Sequence, residues 1–236
     1  VNLAKKYSTY IKVGYMKSHD GCIPKLKELL LDSKKNNEEI KLINSYSFMG
    51  DSYCKPFGDK KGNLSNKIKL KEECMPNWLC KEKFFAYEQF INVFSHITHI
   101  IEDIFEEKIN IISAKLNELG EGILLCEINS IPLSISLCRG QQNEWLEGID
   151  IKYLNKSLSV IFPPPFLRNV PGTLKIKSGE VSNIEKDIRT KWSWSFRNQA
   201  ENFCEKVNSK YFSNKELKQA LEQIYFAENV FKNFIK

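Results

Sequence analysis

A helical pattern from about Lys81 to Phe105 constrains the fold of this chain most strongly. Large apolar side chains are spread over most of its circumference, at Phe90, Val93, Phe94, Ile97, Ile100, Ile101 and Ile104. A helix that is apolar on most sides lies inside a protein and not on its surface. The pattern therefore predicts a buried helix with other elements packed around it.

One narrow stripe of this helix is polar. At about 100° per residue, five polar residues fall within one arc: Glu88, Asn92, His96, His99 and Asp103. Buried polar groups must be paired or must face a cavity. Three interpretations stay open: structural histidines satisfied by Glu88, Asp103 or the backbone, a general acid–base site, or a metal site. No third metal ligand is evident nearby in the sequence.

Segments typical of strands follow the helix at short intervals. They are Ile109–Ala114, Gly122–Asn129, Ile131–Cys138, Trp145–Tyr153, Leu158–Phe162 and Gly172–Lys177. Short links between strands indicate an antiparallel meander. Elsewhere the patterns predict strands at Ile11–Met16 and Glu39–Met49, and helices at Gly21–Asp32, Thr190–Lys210 and Asn214–Ile235. The sequence thus predicts an α+β fold, an open, mostly antiparallel sheet with helices packed on one face.

Composition argues against several classes of protein. The formal net charge is +6, but only four of the 35 basic residues are arginines, the residue that clamps phosphates and reads bases, so no nucleic-acid partner is expected. Seven cysteines without a CxxC pair do not form a zinc or disulfide framework. Because no apolar run reaches membrane-spanning length and no signal peptide is evident, we expect no membrane partner and a cytoplasmic location.

Three further segments carry possible functions. The GxG sequence Gly120-Glu121-Gly122 precedes a strand, so we interpret it as a turn, and the chain contains no phosphate-binding glycine loop. The stiff Pro163–Pro165 run is either a connection or a rim that places Arg168 over a pocket. The aromatic cluster Trp192–Phe196 is typical of a core anchor, with ligand stacking as the alternative. Gly50 to Cys80 has little periodicity and is interpreted as a surface excursion or lid.

The segment Val13-Gly14-Tyr15-Met16-Lys17-Ser18-His19-Asp20 is the first of four that, in order, resemble the Gfo/Idh/MocA (glucose-fructose oxidoreductase and inositol dehydrogenase-like) family. In that family such a segment marks the passage from the dinucleotide-binding domain into the substrate domain. The segment Asn92 to His99 is similar to the D-x-G-x-H-x-x-D pattern on the first long helix of that second domain. Segments similar to late parts of sugar-acting members are Pro163–Asn169 and Trp192–Phe203.

The resemblance implies an NAD(P)-dependent oxidoreductase that acts on a sugar, cyclitol or sugar nucleotide. Residues 1–16 would then be the end of a dinucleotide-binding domain, and residues 17–236 a substrate-binding and oligomerisation domain. NAD or NADP would be bound mainly by the first domain, whose glycine-rich loop and catalytic Glu-Lys-Pro lysine are expected upstream of Val1. Family members commonly pair through the open face of the sheet, so the resemblance also implies a homo-oligomer.

The resemblance further implies roles for single residues. His96 keeps the place of the family's histidine and would carry proton transfer. Asn92 replaces the family's aspartate, so it can hydrogen-bond a hydroxyl but cannot act as a base. His99 takes the place of the second aspartate and, with Lys17 and Arg168, would contact the substrate. The alternative is a non-catalytic carbohydrate-binding or assembly module of the same fold.

Overall fold

The computed structural model describes residues 9–50, 75–140, 144–179, 184–209 and 215–234, together with Asn2, Lys6 and Tyr7. Its helices are α1 (Cys22–Lys35), α2 (Lys81–Gln89), α3 (Ser95–Phe105), α4 (Ser195–Asn208) and α5 (Lys215–Asn229). Shorter turns are a 3₁₀ turn at Met16–His19 and π-helical turns at Phe90–Phe94 and Val230–Phe234. The predicted long helix is confirmed, because α2, the first π-turn and α3 follow one another without a break.

Eight strands form a single sheet. They are β1 (Leu42–Gly50), β2 (Asn110–Leu116), β3 (Gly122–Ile128), β4 (Ile131–Gly140), β5 (Trp145–Lys152), β6 (Lys156–Phe162), β7 (Thr173–Ser178) and β8 (Ile184–Arg189). Their order is β2-β3-β4-β1-β5-β6-β7-β8, and all neighbouring pairs are antiparallel except β1 with β4. The predicted α+β class with an open, mostly antiparallel sheet is confirmed.

The predicted meander is interrupted in the middle of the sheet. Strands β2 to β4 and strands β5 to β8 are each consecutive, but β1 lies between the two sets. It runs parallel to β4, with Ile43 opposite Leu133, and antiparallel to β5, with Ile43 opposite Ile151. The first strand of the chain therefore joins the two consecutive sets of strands into one sheet.

The helices cover one face of the sheet, and this face carries the core. Residues of alternate positions on the central strands are buried there, including Ile43, Leu133, Ile135, Leu137, Ile149 and Ile151. Because the helices cover these side chains, they do not belong to an exposed apolar face of the sheet. The opposite face exposes a mixture of groups, among them Phe48, Ile123, Leu125 and Leu146. Association through this face stays a prediction.

Two local predictions fail for identifiable reasons. The segment Ile11–Met16 is not a strand, because Tyr15 N–H bonds Val13 O and Met16 N–H bonds Gly14 O in tight turns. Strand β8 is missing from the sequence prediction because its residues are mostly charged and exposed, without apolar alternation. It forms by pairing with β7, where Lys175 lies 3.7 Å from Glu185 and from Asp187.

The interpretation of Gly50 to Cys80 as an excursion falls largely on residues 51–74, which lie outside the described residues. Gly120-Glu121-Gly122 is confirmed as part of a turn between β2 and β3, closed by hydrogen bonds between Asn117 and both Gly120 and Glu121. Across the described ranges, none of the helices is long and apolar enough to cross a membrane.

Candidate functional site

The π-turn at Phe90–Phe94 changes which residues of the polar stripe lie together. A π-turn inserts an extra residue into a helix, so positions before and after it no longer keep the α-helical phase. Asn92, inside the turn, is exposed, whereas His96 is partly buried and His99 is buried. Asn92 therefore differs in exposure from the two histidines that regular helical spacing places beside it.

His96 is the member of the stripe with an unsatisfied polar atom. Its Nδ1 is buried and has no hydrogen-bond partner, a rare state for a buried polar group. The edge of the ring contacts Tyr15, with 5.5 Å between the ring centroids. Burial, and then the positive charge of Lys17, lower the pKa of His96 to about 3. The imidazole is thus neutral at neutral pH and can accept a proton.

Lys17 is held beside His96 by a buried ion pair. Its Nζ lies 3.0 Å from Oε2 of Glu147, and both side chains are almost fully buried. The other carboxylate oxygen accepts a hydrogen bond of 3.2 Å from Ser47 Oγ. Ser47 and Glu147 face each other across β1 and β5, while Lys17 enters from the 3₁₀ turn. Two central strands therefore position the ammonium group of Lys17.

Glu147 was not among the residues predicted for the site, although the sequence contains a signal for it. It shares the side of β5 with Ile149 and Ile151, which are completely buried. A carboxylate on the buried side of a strand must have a cationic or hydrogen-bonding partner. The identity of that partner, Lys17, is not readable from the sequence because the two residues are 130 positions apart.

Tyr15 divides His99 from His96. The Tyr15 ring stacks on His99 at 3.9 Å between centroids and meets His96 on its edge. His99 Nδ1 lies 3.4 Å from Ser18 Oγ, and its ring lines a cavity together with His19 and Asp103. The two histidines of the predicted stripe therefore belong to different environments, one beside Lys17 and one at this second cavity.

Asp20 joins the segments that surround Lys17. Its buried carboxylate accepts hydrogen bonds from the backbone N–H groups of Cys22 and Gly172 and from the Ser195 hydroxyl. A side chain on Gly172 would collide with Cys22 Sγ at 2.8 Å, so this close approach needs glycine. One carboxylate thus ties together the start of α1, the strand β7 region and the start of α4.

The proline segment forms a rim next to Lys17, but Arg168 does not lie over an open pocket. The cavity lined by Lys17, Asp20 and Pro163–Pro165 has a volume of only about 10 Å³, the space of one water molecule at most. Arg168 is exposed and lies over the Trp194 ring, 5.3 Å from its centroid. Arg168 therefore contacts Trp194, and Trp194 in turn lines the cavity beside the proline rim.

The aromatic cluster is only in part a core anchor. Trp194 donates a hydrogen bond of 2.8 Å to Pro165 O, and Phe196 stacks on Phe166, so both pack against the proline rim. Trp192 is 87% exposed, so the prediction of a core role is wrong for this residue.

The structure offers no support for the metal interpretation of the stripe. Within the described ranges, no group of three or more His, Cys, Asp or Glu side chains is placed to hold a metal ion. The described residues also contain no glycine-rich turn between a parallel strand and a helix, the element that holds a dinucleotide pyrophosphate.

We expect Lys17→Met to raise the pKa of His96. The change removes the positive charge that disfavours the imidazolium ion of His96. The measurement is an NMR titration of the His96 ring protons in residues 1–236. Lys25→Met, on the exposed side of α1, is the matched control and should leave the titration unchanged. An unaltered His96 titration in Lys17→Met would show that the two groups do not interact.

Comparison with known proteins first defines the class of fold. No protein-family model and no curated protein sequence matches the chain. Solved structures of dehydrogenases and of a 3-ketoreductase do match over nearly all of it, at low sequence identity. This shared fold is consistent with the resemblance of the four segments to the Gfo/Idh/MocA family.

Three of these structures illustrate the similarity. A dehydrogenase from Clostridium difficile superposes with a TM-score of 0.64 at 14% identity, covering 98% of this chain and 64% of that one. A 3-ketoreductase from Actinomadura kijaniata in complex with NADP and TDP-benzene gives 0.66 at 8% identity, covering 97% and 63%. A UDP-N-acetylglucosamine 3-dehydrogenase from Acidithiobacillus ferrooxidans gives 0.60 at 9% identity, covering 97% and 63%. The chain spans less than two thirds of the length of each.

Proposed function

We propose that this chain is the substrate-binding part of an NAD(P)-dependent oxidoreductase that acts on a sugar or sugar nucleotide. Support comes from the shared fold. The proteins that share it include a UDP-N-acetylglucosamine 3-dehydrogenase and a 3-ketoreductase whose structure contains NADP. The single observation that carries the proposal is the buried, unpartnered Nδ1 of His96 beside Lys17. Perturbed titratable groups of this kind concentrate at functional sites.

The proposed division of labour follows from the chemistry of these side chains. Bound NAD(P) supplies the hydride acceptor or donor. His96, neutral at neutral pH, takes the proton of the sugar hydroxyl that is oxidised and returns it in the reverse direction. Lys17, oriented by Glu147, binds an oxygen of the substrate next to it. Asn92 orients the same hydroxyl through its amide, and His99 and Arg168 contact the substrate, as the resemblance implies.

We propose that the domain division is as the resemblance implies, with residues 17–236 as the substrate domain and a dinucleotide-binding domain preceding it. The matches extend over nearly all of this chain but over only 62–65% of each related structure. The unmatched part of those structures is large enough to be a separate domain. The oxidoreductase would associate through the open face of the sheet, as the family resemblance implies.

We expect the protein that contains this chain and its upstream domain to reduce NAD⁺ or NADP⁺ with a sugar nucleotide as substrate. Absorbance of the reduced nicotinamide, with a panel of UDP- and TDP-sugars, measures this activity. Residues 1–236 alone should bind NAD(P) only weakly, because they lack the glycine loop that holds a pyrophosphate.

Isothermal titration calorimetry on residues 1–236 provides the second measurement. Micromolar affinity of this chain alone for NAD(P) would refute the division between the two domains. A folded complete protein that oxidises no member of the panel would instead favour the non-catalytic carbohydrate-binding or assembly module.

A further inference from the structure

A large cavity, which we call the α1–α3 cavity, lies between the C-terminal parts of α1 and α3. Its volume is about 740 Å³, a size typical of sites for small ligands. The turn between β3 and β4 and the ring of Tyr153, just after β5, complete its lining. Glu147, which holds Lys17, lies six residues earlier along the chain, a separation of about 20 Å along a strand. The proposed oxidoreductase chemistry does not use this cavity.

The floor of the α1–α3 cavity is apolar. Aliphatic and aromatic side chains from both helices, from the segment before β1 and from β4 form it: Leu30, Leu31, Ile40, Ile104, Phe105 and Ile131. Most of them pack against the core, whereas Leu31 is 59% exposed on the wall of the cavity. Burial of apolar surface favours binding, so the larger part of a matching ligand is aliphatic or aromatic.

The C-terminal end of α3 is the polar part of the lining. Among the described residues, no backbone N–H group bonds to the carbonyl oxygens of Ile104 and Phe105, and the last turn of α3 carries no basic side chain. The end of α1 differs, because the N–H group of Asn36 caps it and Lys34 lies in its last turn. Open carbonyl groups give the C-terminal end of a helix a partial negative charge, which a cation stabilises. The end of α3 is therefore suited to a positively charged group.

Acidic side chains lie at the same end of the cavity. Glu106 and Glu107 follow α3 directly, and both line the cavity. Other charged lining residues have ionic partners: Lys27 pairs with Asp103 at 3.2 Å, Glu39 with Lys41 at 2.5 Å, Glu38 with Lys156, and Glu106 with Lys215 at 4.0 Å. Glu107 is exposed next to the open carbonyl groups, so its carboxylate is placed to attract a cation there.

Tyr153 adds a hydroxyl without a hydrogen-bond partner. Its side chain is only 8% exposed, and its buried oxygen bonds to no group of the described residues. Ser33 is a polar neighbour, but its hydroxyl already donates to Leu29 O and accepts from Lys156 Nζ, both at 2.8 Å. Burial raises the pKa of Tyr153, so the hydroxyl is neutral and can accept a hydrogen bond from an N–H group. A buried polar group without a partner costs free energy, which a bound ligand recovers.

We propose that the α1–α3 cavity binds a small apolar amine, a protonated primary amine carried by an aliphatic or aromatic body. The body packs on the apolar floor, and the ammonium group lies at the end of α3, between the open carbonyl groups and the carboxylate of Glu107. The Tyr153 hydroxyl is a further acceptor on the lining. An anion would instead meet the negative end of α3, and a neutral molecule would gain contacts with the floor only.

Three ligands of nearly equal size and different charge test the proposal. Residues 1–236 are titrated by calorimetry with benzylamine, benzyl alcohol and benzoate at neutral pH and constant ionic strength. Benzylamine should bind saturably and about 10-fold more tightly than the other two, the worth of a hydrogen bond to a charged group. No saturable binding of benzylamine would overturn the proposal. Benzyl alcohol or benzoate that binds as tightly as benzylamine would also overturn it, because the cavity would then not select a cation.

Two pairs of surface variants locate the site. Glu107→Gln should weaken benzylamine binding about 2- to 5-fold, the worth of an exposed ion pair, and leave benzyl alcohol unaffected. Glu118→Gln, an exposed charge change outside the cavity, is its control. Leu31→Gln removes part of the apolar wall and should weaken both ligands, whereas Leu119→Gln, at a site 50% exposed, should weaken neither.

Equal effects of a variant and its control would place the bound amine elsewhere on the surface and would overturn the proposal. All four positions are exposed, so the variants are expected to fold, and far-UV circular dichroism checks this. Because the assay needs neither a nicotinamide cofactor nor a sugar, its outcome is independent of whether the oxidoreductase proposal holds.

Discussion

Replacing His96 by alanine in the complete enzyme is expected to lower turnover by about 10²- to 10⁴-fold, the usual contribution of general acid–base catalysis. The physical reason is that His96 offers a neutral imidazole, with its Nδ1 buried and unpartnered, beside Lys17. Steady-state rates as a function of pH provide the measurement. The wild-type rate should fall as the pH drops and His96 becomes protonated, and this acid limb should disappear in the variant.

The acid limb is expected at a lower pH than for a histidine with an ordinary pKa. An ordinary histidine titrates near neutrality, whereas burial and Lys17 lower the pKa of His96 to about 3. We therefore expect full activity to persist to acidic pH. Glu88→Gln, a charge change on the same helix, is the control and should leave turnover unchanged. Near-full turnover of His96→Ala, with an unchanged pH profile, would show that the histidine is structural.

Asn92→Ala provides an internal comparison on the same helix. Asn92 is exposed in the π-turn, so its amide is accessible to a substrate hydroxyl. The variant should raise KM more than it lowers kcat, and the shape of the pH profile should persist.

Replacing Asp20 by alanine is expected to lower the free energy of unfolding by about 3–5 kcal/mol. The carboxylate is buried and accepts hydrogen bonds from Cys22, Gly172 and Ser195, and each donor would be left without its partner. Urea denaturation followed by circular dichroism measures the change. Asp20→Asn keeps one acceptor oxygen and should cost less than the alanine variant.

Asp32→Ala is the matched control for Asp20. Asp32 also belongs to the α1 region, but its side chain is 52% exposed and pairs only with Lys35. Exposed pairs of this kind contribute about 0–1 kcal/mol, so the control should change stability little. Equal losses for the two variants would mean that the network around Asp20 does not stabilise the junction of α1, β7 and α4.

Much of the fold could be predicted from local patterns. The apolar circumference of Phe90 to Ile104 correctly predicts a buried helix, and alternation correctly predicts most strands. Both patterns depend only on the period of the backbone, which is a local property. The same alternation does not say which face is covered by helices, so the burial of Leu133 and Ile135 could not be predicted from it.

The candidate site could be predicted only in part. Lys17 and His96 were both assigned to it from their segments, and the structure places them close together. The exposure of Asn92 could not be predicted. The π-turn breaks the regular phase of the helix, and the residues Phe90–Phe94 contain no sequence signal for such a turn. Glu147 could be recognised as an unusual buried charge, but its pairing with Lys17 depends on the sheet.

The sequence by itself determined the helices and most of the strands, that the helix bearing His96 is buried, and that its histidines need partners or a cavity. Only the tertiary structure decided that β1 enters the centre of the sheet and brings Ser47 beside Glu147, that Lys17 pairs with that carboxylate, and that Tyr15 separates His96 from His99. The physical reason is that periodicity acts over a few residues. The pairing of strands and the choice of partners for buried charges instead join residues that are distant along the chain, and only the packed core brings them together.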